Sequence, residues 1–215
     1  MLLSPASDPP PWSGPPVRLG ILASGSGSNF AAIADAAAAG GAPYRIAGLV
    51  YNNPGAYVAT RASERGIPAR LVDHRGFGGR EEFDAAVVEA LRAMEVEWVA
   101  MAGWMRICTP VLLDAFADRV LNLHPSLLPS FRGLRAVEQA LAAGVTISGC
   151  TVHLVRPAVD DGPIIAQAAV PVLAGDDADA LHQRIHAAEH ALYPRAIALA
   201  ISQARAGAEG EGAAR

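Results

Sequence analysis

The sequence predicts an α/β protein: a Rossmann-like open sheet, mostly parallel, with helices on both faces, ending in an antiparallel strand pair and a long C-terminal helix. Three observations predict it. As far as His124, short aliphatic runs alternate with helix-length amphipathic segments, the pattern of βαβ units. Beyond Pro125 two strand-like runs follow one another across a short link, so the sheet changes character there. Hydrophobic residues are 52% and charged residues 18% of 215, which supplies one large core.

Each element can be justified in turn. VRLGILA, from Val17, reads as a strand, ASGSGSN as a loop and NFAAIADAAAAGG as a helix. YRIAGLVYNNPGAYVATRASERG repeats the plan: its strand ends at an Asn-Asn-Pro-Gly turn and its helix closes on Gly66, glycine being the favoured residue past a helix end. PARLVDH is a third, short strand. REEFDAAVVEALRAMEVE is a helix, because Phe83, Val87, Ala90, Leu91 and Met94 fall on one stripe. WVAMAG is the fourth strand, TPVLLDAFA a short helix with proline in its first turn, and RVLNLH the fifth strand. RAVEQALAAG is helical. ISGCTVHLV and PIIAQAAVPV are strands whose link, RPAVDDG, suggests an antiparallel hairpin. The last segment, from Asp176, is one long helix or two joined near Pro194, since proline removes a helical hydrogen bond. No repeat or linker interrupts the chain. One domain is expected over 17–203, between a disordered proline-rich tail at 1–16 and a disordered small-residue tail at 204–215.

Composition narrows the chemistry. Net charge is −4 and no basic run occurs, which disfavours nucleic acid as a partner. No apolar run reaches the ~18 residues that span a bilayer, and the start lacks the basic and apolar regions of a secretory signal, so a cytoplasmic protein without membrane contact is expected. Cys108 and Cys150 have no metal-ligand spacing, and a reducing compartment without a structural disulfide fits them. All 17 basic residues are arginine. With no lysine the chain can form no lysine Schiff base and no conventional P-loop; GC-rich codon usage is the plain cause.

Two stretches carry candidate chemistry. ASGSGSN lies between strand and helix, where glycines let backbone approach an anion and free N–H groups await it; Ser28 or Asn29 can cap the helix. It could be a plain tight turn or a dinucleotide loop. A third glycine is missing at the dinucleotide spacing, and the second strand ends in amides rather than an acid, so a monophosphate is favoured. In VLNLHPSLLP, Asn122 and His124 sit two apart near a strand end and share a face. An amide N–H beside an imidazole can stabilise a developing oxyanion, at ~10²–10³ in rate per donor, and imidazole moves protons near neutral pH. The alternative is a hydrogen-bonded strand end without chemistry. Asp160 and Asp161 offer a carboxylate to orient His124, although paired loop aspartates are commonly only solvated. No activated nucleophile is evident, which favours direct transfer.

Taken together, NLHPSLLPSF, ASGSGSN, AGWMRI and VDDGPIIAQAAVPV resemble the phosphoribosylglycinamide formyltransferases, folate-dependent enzymes of purine synthesis, over about Val17 to Ala204. The resemblance implies transfer of a formyl group from 10-formyltetrahydrofolate, as co-substrate and without a metal, to phosphoribosylglycinamide, by a monomer or homodimer. It implies that Gly27, Ser28 and Asn29 hold the ribose phosphate and that Glu189 meets the glycinamide end. Arg80 and Met105, Arg106, Ile107 and Cys108 would line the folate site, with Asn122 at its formyl end. Asn122 would donate to the formyl oxygen, His124 would act as acid beside it, and Asp160 would support His124 and relay the amine proton through water. Asp160 is chosen over Asp161 because it matches the family's D-x-G-P spacing.

The chain departs from the pattern at Arg135 and Val137, where many relatives carry histidine, and at Cys108, where a larger aliphatic residue is common. Methionyl-tRNA formyltransferases share motifs but carry a further C-terminal domain. Formyltetrahydrofolate hydrolases carry an N-terminal regulatory domain and a second histidine where this chain has Pro125. A nucleotide-binding regulator without activity is the reading from another class; an intact Asn122, His124 and Asp160 set speaks against it. His182, His186 and His190, each four apart on one helix face, invite a metal, but a partly exposed histidine row is the simpler reading.

Overall fold

The computed structural model describes residues 1–6, 9 and 11–213. Along it run β1 (Leu2–Ser4), β2 (Val17–Ala23), α1 (Ser28–Ala38), β3 (Tyr44–Tyr51), α2 (Val58–Glu64), β4 (Ala69–Leu71), α3 (Arg80–Ala93), β5 (Trp98–Met101), α4 (Pro110–Ala115), β6 (Val120–His124), α5 (Ala136–Ala142), β7 (Ile147–Leu154), β8 (Ile164–Pro171) and α6 (Ala178–Ala213). The strands form one sheet in the order β1-β8-β7-β6-β5-β2-β3-β4. From β4 through β3, β2 and β5 to β6 neighbours are parallel; β6–β7, β7–β8 and β8–β1 are antiparallel. The expected α/β class, both helical faces, the hairpin and the long last helix are all present.

Buried strands explain the aliphatic runs, because helices cover both sheet faces. On one face Leu19, Ile21 and Leu121 pack with Phe30 of α1 and Ile185 and Leu192 of α6. On the other, Leu22, Val99 and Val120 pack with Phe83 and Leu91 of α3 and Leu112 of α4. Each such side chain contributes about 1.5–3 kcal/mol when fully buried. Alternation along β6 therefore decides the site: Leu121 belongs to the α1/α6 face and Val120 to the α3/α4 face, so Asn122 and His124 share the latter. Tyr193, fully buried in α6, donates its hydroxyl between the carbonyls of Met101 and Leu121 at 3.1 and 3.2 Å. That bond ties the last helix to the two strands at the centre of the site. Pro194 does not divide α6, which is one helix.

Both expected tails are corrected in part. Leu2, Leu3 and Ser4 pair with Ala169, Ala168 and Gln167, and Leu3 and Trp12 pack against the core. Without β1, the edge of β8 would present unpaired backbone groups. At the other end α6 continues from 204 to 213, over four alanines and two glutamates, good helix formers, but also three glycines, which are poor ones. Residues 7, 8, 10, 214 and 215 of those tails lie outside the described residues. Among the described residues no helix is long and apolar enough to cross a membrane.

Candidate active site

The polar pair of β6 is met by two further groups. Asn122 lies directly opposite His153 of β7, and cross-strand partners point to the same face. The Asn122 amide Nδ2 stands 3.2 Å from His153 Nε2, and His153 Nδ1 stands 2.9 Å from the Leu154 carbonyl. A ring that donates from Nδ1 to Leu154 accepts at Nε2 from Asn122. One Asn122 hydrogen is then used and the second is left for another acceptor.

Asp160 completes the cluster. The loop after β7 opens beside the start of β6, where Val155 N–H donates to the Val120 carbonyl, then doubles back across the sheet face. Asp160 turns the chain in the left-handed region, φ 51°, which aspartate tolerates better than most residues. At Gly162 a Cβ would overlap the Leu154 carbonyl oxygen, so only glycine lets the loop lie this close to its own strand. The Asp160 carboxylate, 8% exposed, stands 3.3 Å from His124 Nδ1 and 3.6 Å from His153 Nε2, and accepts from Gly133 N–H at 2.8 Å. Burial alone would raise its pKa. The His153 ring beside it, the hydrogen bond from Gly133 N–H and the neighbouring His124 outweigh burial, and the carboxyl lies below its ordinary value. His124 Nε2 stands 2.9 Å from the Phe131 carbonyl, so both ring nitrogens face oxygen acceptors and the ring is held at both ends. Asp161 instead meets Arg132 at 2.6 Å in a half-exposed ion pair.

The loop after β2 lies two strands away, about 10 Å by sheet spacing. Gly27 occupies the N-cap position of α1 at φ 75°, and a Cβ there would collide with Val58. Neither Ser28 nor Asn29 caps α1, contrary to expectation. Both side chains turn to α6: Ser28 Oγ stands 3.0 Å from His186 Nε2, and Asn29 donates to the buried Glu189 carboxylate at 2.8 Å.

The expected folate residues gather beyond β5. Met105 N–H donates to Ser24 Oγ at 3.0 Å, Arg106 lies 5.4 Å from the centre of the Phe83 ring, and Arg80 opens α3. Met105 and Ile107 are exposed, while Trp104 and Cys108 are buried beneath them, an apolar ledge suited to a flat heterocycle. Burial, aided by the charge of Asp84, pushes the Cys108 thiol up to about 12, and burial also raises Cys150; neither thiol is poised as a nucleophile.

The structure therefore sets His124 directly against Asp160, with Asn122 linked to them through His153, and joins Asn29 directly to Glu189, with Ser28 linked to it through His186. The sequence reading missed three contributors. His153 was read only as part of a strand. The backbone of 131–133 clamps His124 and Asp160. Buried Asp84 accepts from Thr109 N–H at 2.6 Å, fastening the end of the 105–108 loop to α3. An open groove of about 510 Å³ between α3 and α4 is lined by Val88, Arg92, Val111 and Asp114, and none of the groups above lines it.

Comparison with known proteins gives the family of the chain. The formyl transferase family matches residues 17–197. The trifunctional purine biosynthetic protein adenosine-3 of Drosophila pseudoobscura pseudoobscura is 45% identical over 89% of this chain, which spans only 14% of that longer protein. The phosphoribosylglycinamide formyltransferase of Bacillus subtilis is 41% identical over 84% of this chain and 92% of its own length. The crystal structure of glycinamide ribonucleotide transformylase 1 from Symbiobacterium toebii superposes with a TM-score of 0.87 at 47% identity, covering 90% of this chain and 91% of that one. With the strand-end cluster, the glycine-serine loop and these relatives in view, the chain belongs to the formyl transferase family, among members named phosphoribosylglycinamide formyltransferase.

Proposed function

We propose that the chain transfers the formyl group of 10-formyltetrahydrofolate to the primary amine of phosphoribosylglycinamide, a step of purine synthesis, in the cytoplasm and by direct attack. The observation that carries this reading is the Asp160 carboxylate set against His124 and His153, with Asn122 beside them and a phosphate-type loop about 10 Å away. Gly27, Ser28 and Asn29 hold the phosphate and Glu189 the glycinamide end, while Arg80 and 105–108 receive the folate. The domain that does this spans 17–203, with β1 added along the free edge of β8, and it acts as a monomer or homodimer.

The free Asn122 N–H and the His124 Nε2–H, which exchanges the Phe131 carbonyl for substrate, stabilise the formyl oxygen as it gains charge. The bond from the amine nitrogen to the formyl carbon forms as the bond from that carbon to folate N10 breaks. The amine proton passes through water to Asp160 and finally to N10, so no external acid or base is consumed. His153 holds both Asn122 and Asp160 for these roles.

The test mixes purified protein with both substrates and follows folate absorbance. Turnover that requires phosphoribosylglycinamide supports the proposal. Formate release with water alone would make the chain a formyltetrahydrofolate hydrolase, and tight binding without turnover a regulator.

A further inference from the structure

Three antiparallel pairings set one rank of side chains beside the reaction centre. Thr151 of β7 stands opposite His124 of β6, Gln167 of β8 opposite Thr151, and Ser4 of β1 opposite Gln167. Cross-strand partners share a face, and the alternate residues Cys150, Val152, Ala166 and Ala168 belong to the core on the other one. The segment after β6 is tied down on this rank. Gln167 Nε2 donates to the Leu128 carbonyl and to Thr151 Oγ1, each at 2.9 Å. Thr151 Oγ1 donates to the Ser126 carbonyl at 2.7 Å and accepts from Leu128 N–H at 3.0 Å. Ser126 Oγ donates to the Ser130 carbonyl at 2.6 Å.

Chemistry fixes every direction in this knot. Carbonyl oxygens only accept, so the amide nitrogen of Gln167 faces Leu128, and the single Thr151 hydrogen goes to Ser126. Both lone pairs of Thr151 Oγ1 are then used, by Leu128 N–H and by Gln167. Ser126, Leu128 and Thr151 are buried, so removing the amide leaves buried acceptors short of a donor. The knot ends where the clamp begins: the Phe131 carbonyl meets His124 Nε2, and Gly133 N–H donates to Asp160.

We propose that Gln167 is a positioning residue for the reaction: its amide fixes the 126–130 turn and, through it, the Phe131 carbonyl and Gly133 N–H that set His124 and Asp160. The inference rests on the reading of His124 and Asp160 as the reaction centre. Gln167 lies two strands from His124 and acts through the backbone of the loop. Its loss lets 131–133 drift, and a misplacement of about 1 Å costs ~10² in rate. Weakening the Gly133 bond also removes one of the interactions that hold the Asp160 carboxyl below its ordinary value. The titratable groups facing that carboxyl are His124 of β6 and His153 of β7, while Arg132 of the loop is engaged by Asp161.

The experiment compares the full natural chain with Gln167→Met, which keeps the length of the side chain but has no N–H, with the shorter Gln167→Leu, and with Val170→Ala, which opens the core face of the same strand. The Asp160 carboxyl is followed against pH by carbon NMR of the unliganded protein, and kcat, KM and thermal melts are measured alongside. Both Gln167 variants should raise the Asp160 pKa and lower kcat about 10–100-fold, with KM for either substrate changed less than about threefold. Val170→Ala should lower Tm yet leave the carboxyl and kcat in place. An unmoved carboxyl or a kcat within about threefold of the natural chain in the Gln167 variants, or the same shift in Val170→Ala, overturns the inference. If the carboxyl moves as expected but the natural chain transfers no formyl group, the formyl-transfer reading has failed, and the setting of Asp160 by Gln167 stands.

Discussion

Replacing Asp160 by asparagine removes one charge and changes little volume, so its effect can be worked from the site. The carboxylate stands 3.3 Å from His124 Nδ1. At an effective dielectric of about 20, a protonated His124 at that separation would gain roughly 5 kcal/mol from the carboxylate, an upper bound because water screens part of it. That bound corresponds to a factor of nearly 10⁴ in rate, and general acid–base catalysis ordinarily supplies 10²–10⁴. Asparagine also brings an NH₂ group toward His153 Nε2, which already accepts from Asn122. Asp160→Asn is therefore expected to lower kcat by 10²–10⁴ with KM for either substrate changed less than about threefold, whereas Asp161→Asn stays within about twofold. Steady-state kinetics on both variants, with thermal melts as a folding check, measures this. Retention of a tenth of kcat by Asp160→Asn, or a larger loss in Asp161→Asn, would refute the reasoning. The melts carry a second signature. The Asp160 pKa is lowered in the folded chain, so its stabilising contribution is complete above the ordinary carboxylate value near 4 and disappears as pH falls through the folded value. The stability gap between natural chain and variant is thus open at neutral pH and closes in acid.

Three further outcomes are expected. Asn122→Ala loses one oxyanion donor and should lower kcat ~10²–10³ while folate binding, followed by fluorescence titration, persists; an unchanged kcat would remove Asn122 from the chemistry. His153→Gln takes away a group that holds the Asp160 pKa down, so the acid limb of kcat against pH should move to higher pH; an unmoved limb would show that His153 does not set the carboxyl. Gly27→Ala forces a side chain into a left-handed backbone and against Val58, at a cost of about 1–3 kcal/mol; a lower Tm and a raised KM for phosphoribosylglycinamide should appear together.

Local pattern made some of this legible before any coordinates. Period-two alternation put Asn122 and His124 on one face, and the ASGSGSN loop announced itself by its glycines. What stayed hidden depends on contacts between distant segments. His153 meets Asn122 through a β6–β7 register that the 22 residues of 125–146 leave unspecified in sequence. Asp160 reaches His124 only because its loop folds back from the far end of β6. Ser28 and Asn29 look like helix caps locally, yet α6, more than 150 residues on, claims both side chains. β1 exists because β8 has an edge to cover, which no property of Leu2–Ser4 alone discloses.

That folded-back loop separates the labour of the protein. The proposed phosphate end hangs from α1 and α6, on one side of the sheet, and the proposed proton-handling end from the 155–163 arm on the other. Changes to one need not disturb its counterpart across the strands. The length of the arm acts as a ruler: inserting or deleting one residue between Val155 and Gly162 would slide the acid along β6 while every strand stayed in register. A lineage with this fold could thus retune its proton chemistry and its choice of phosphorylated acceptor as independent traits.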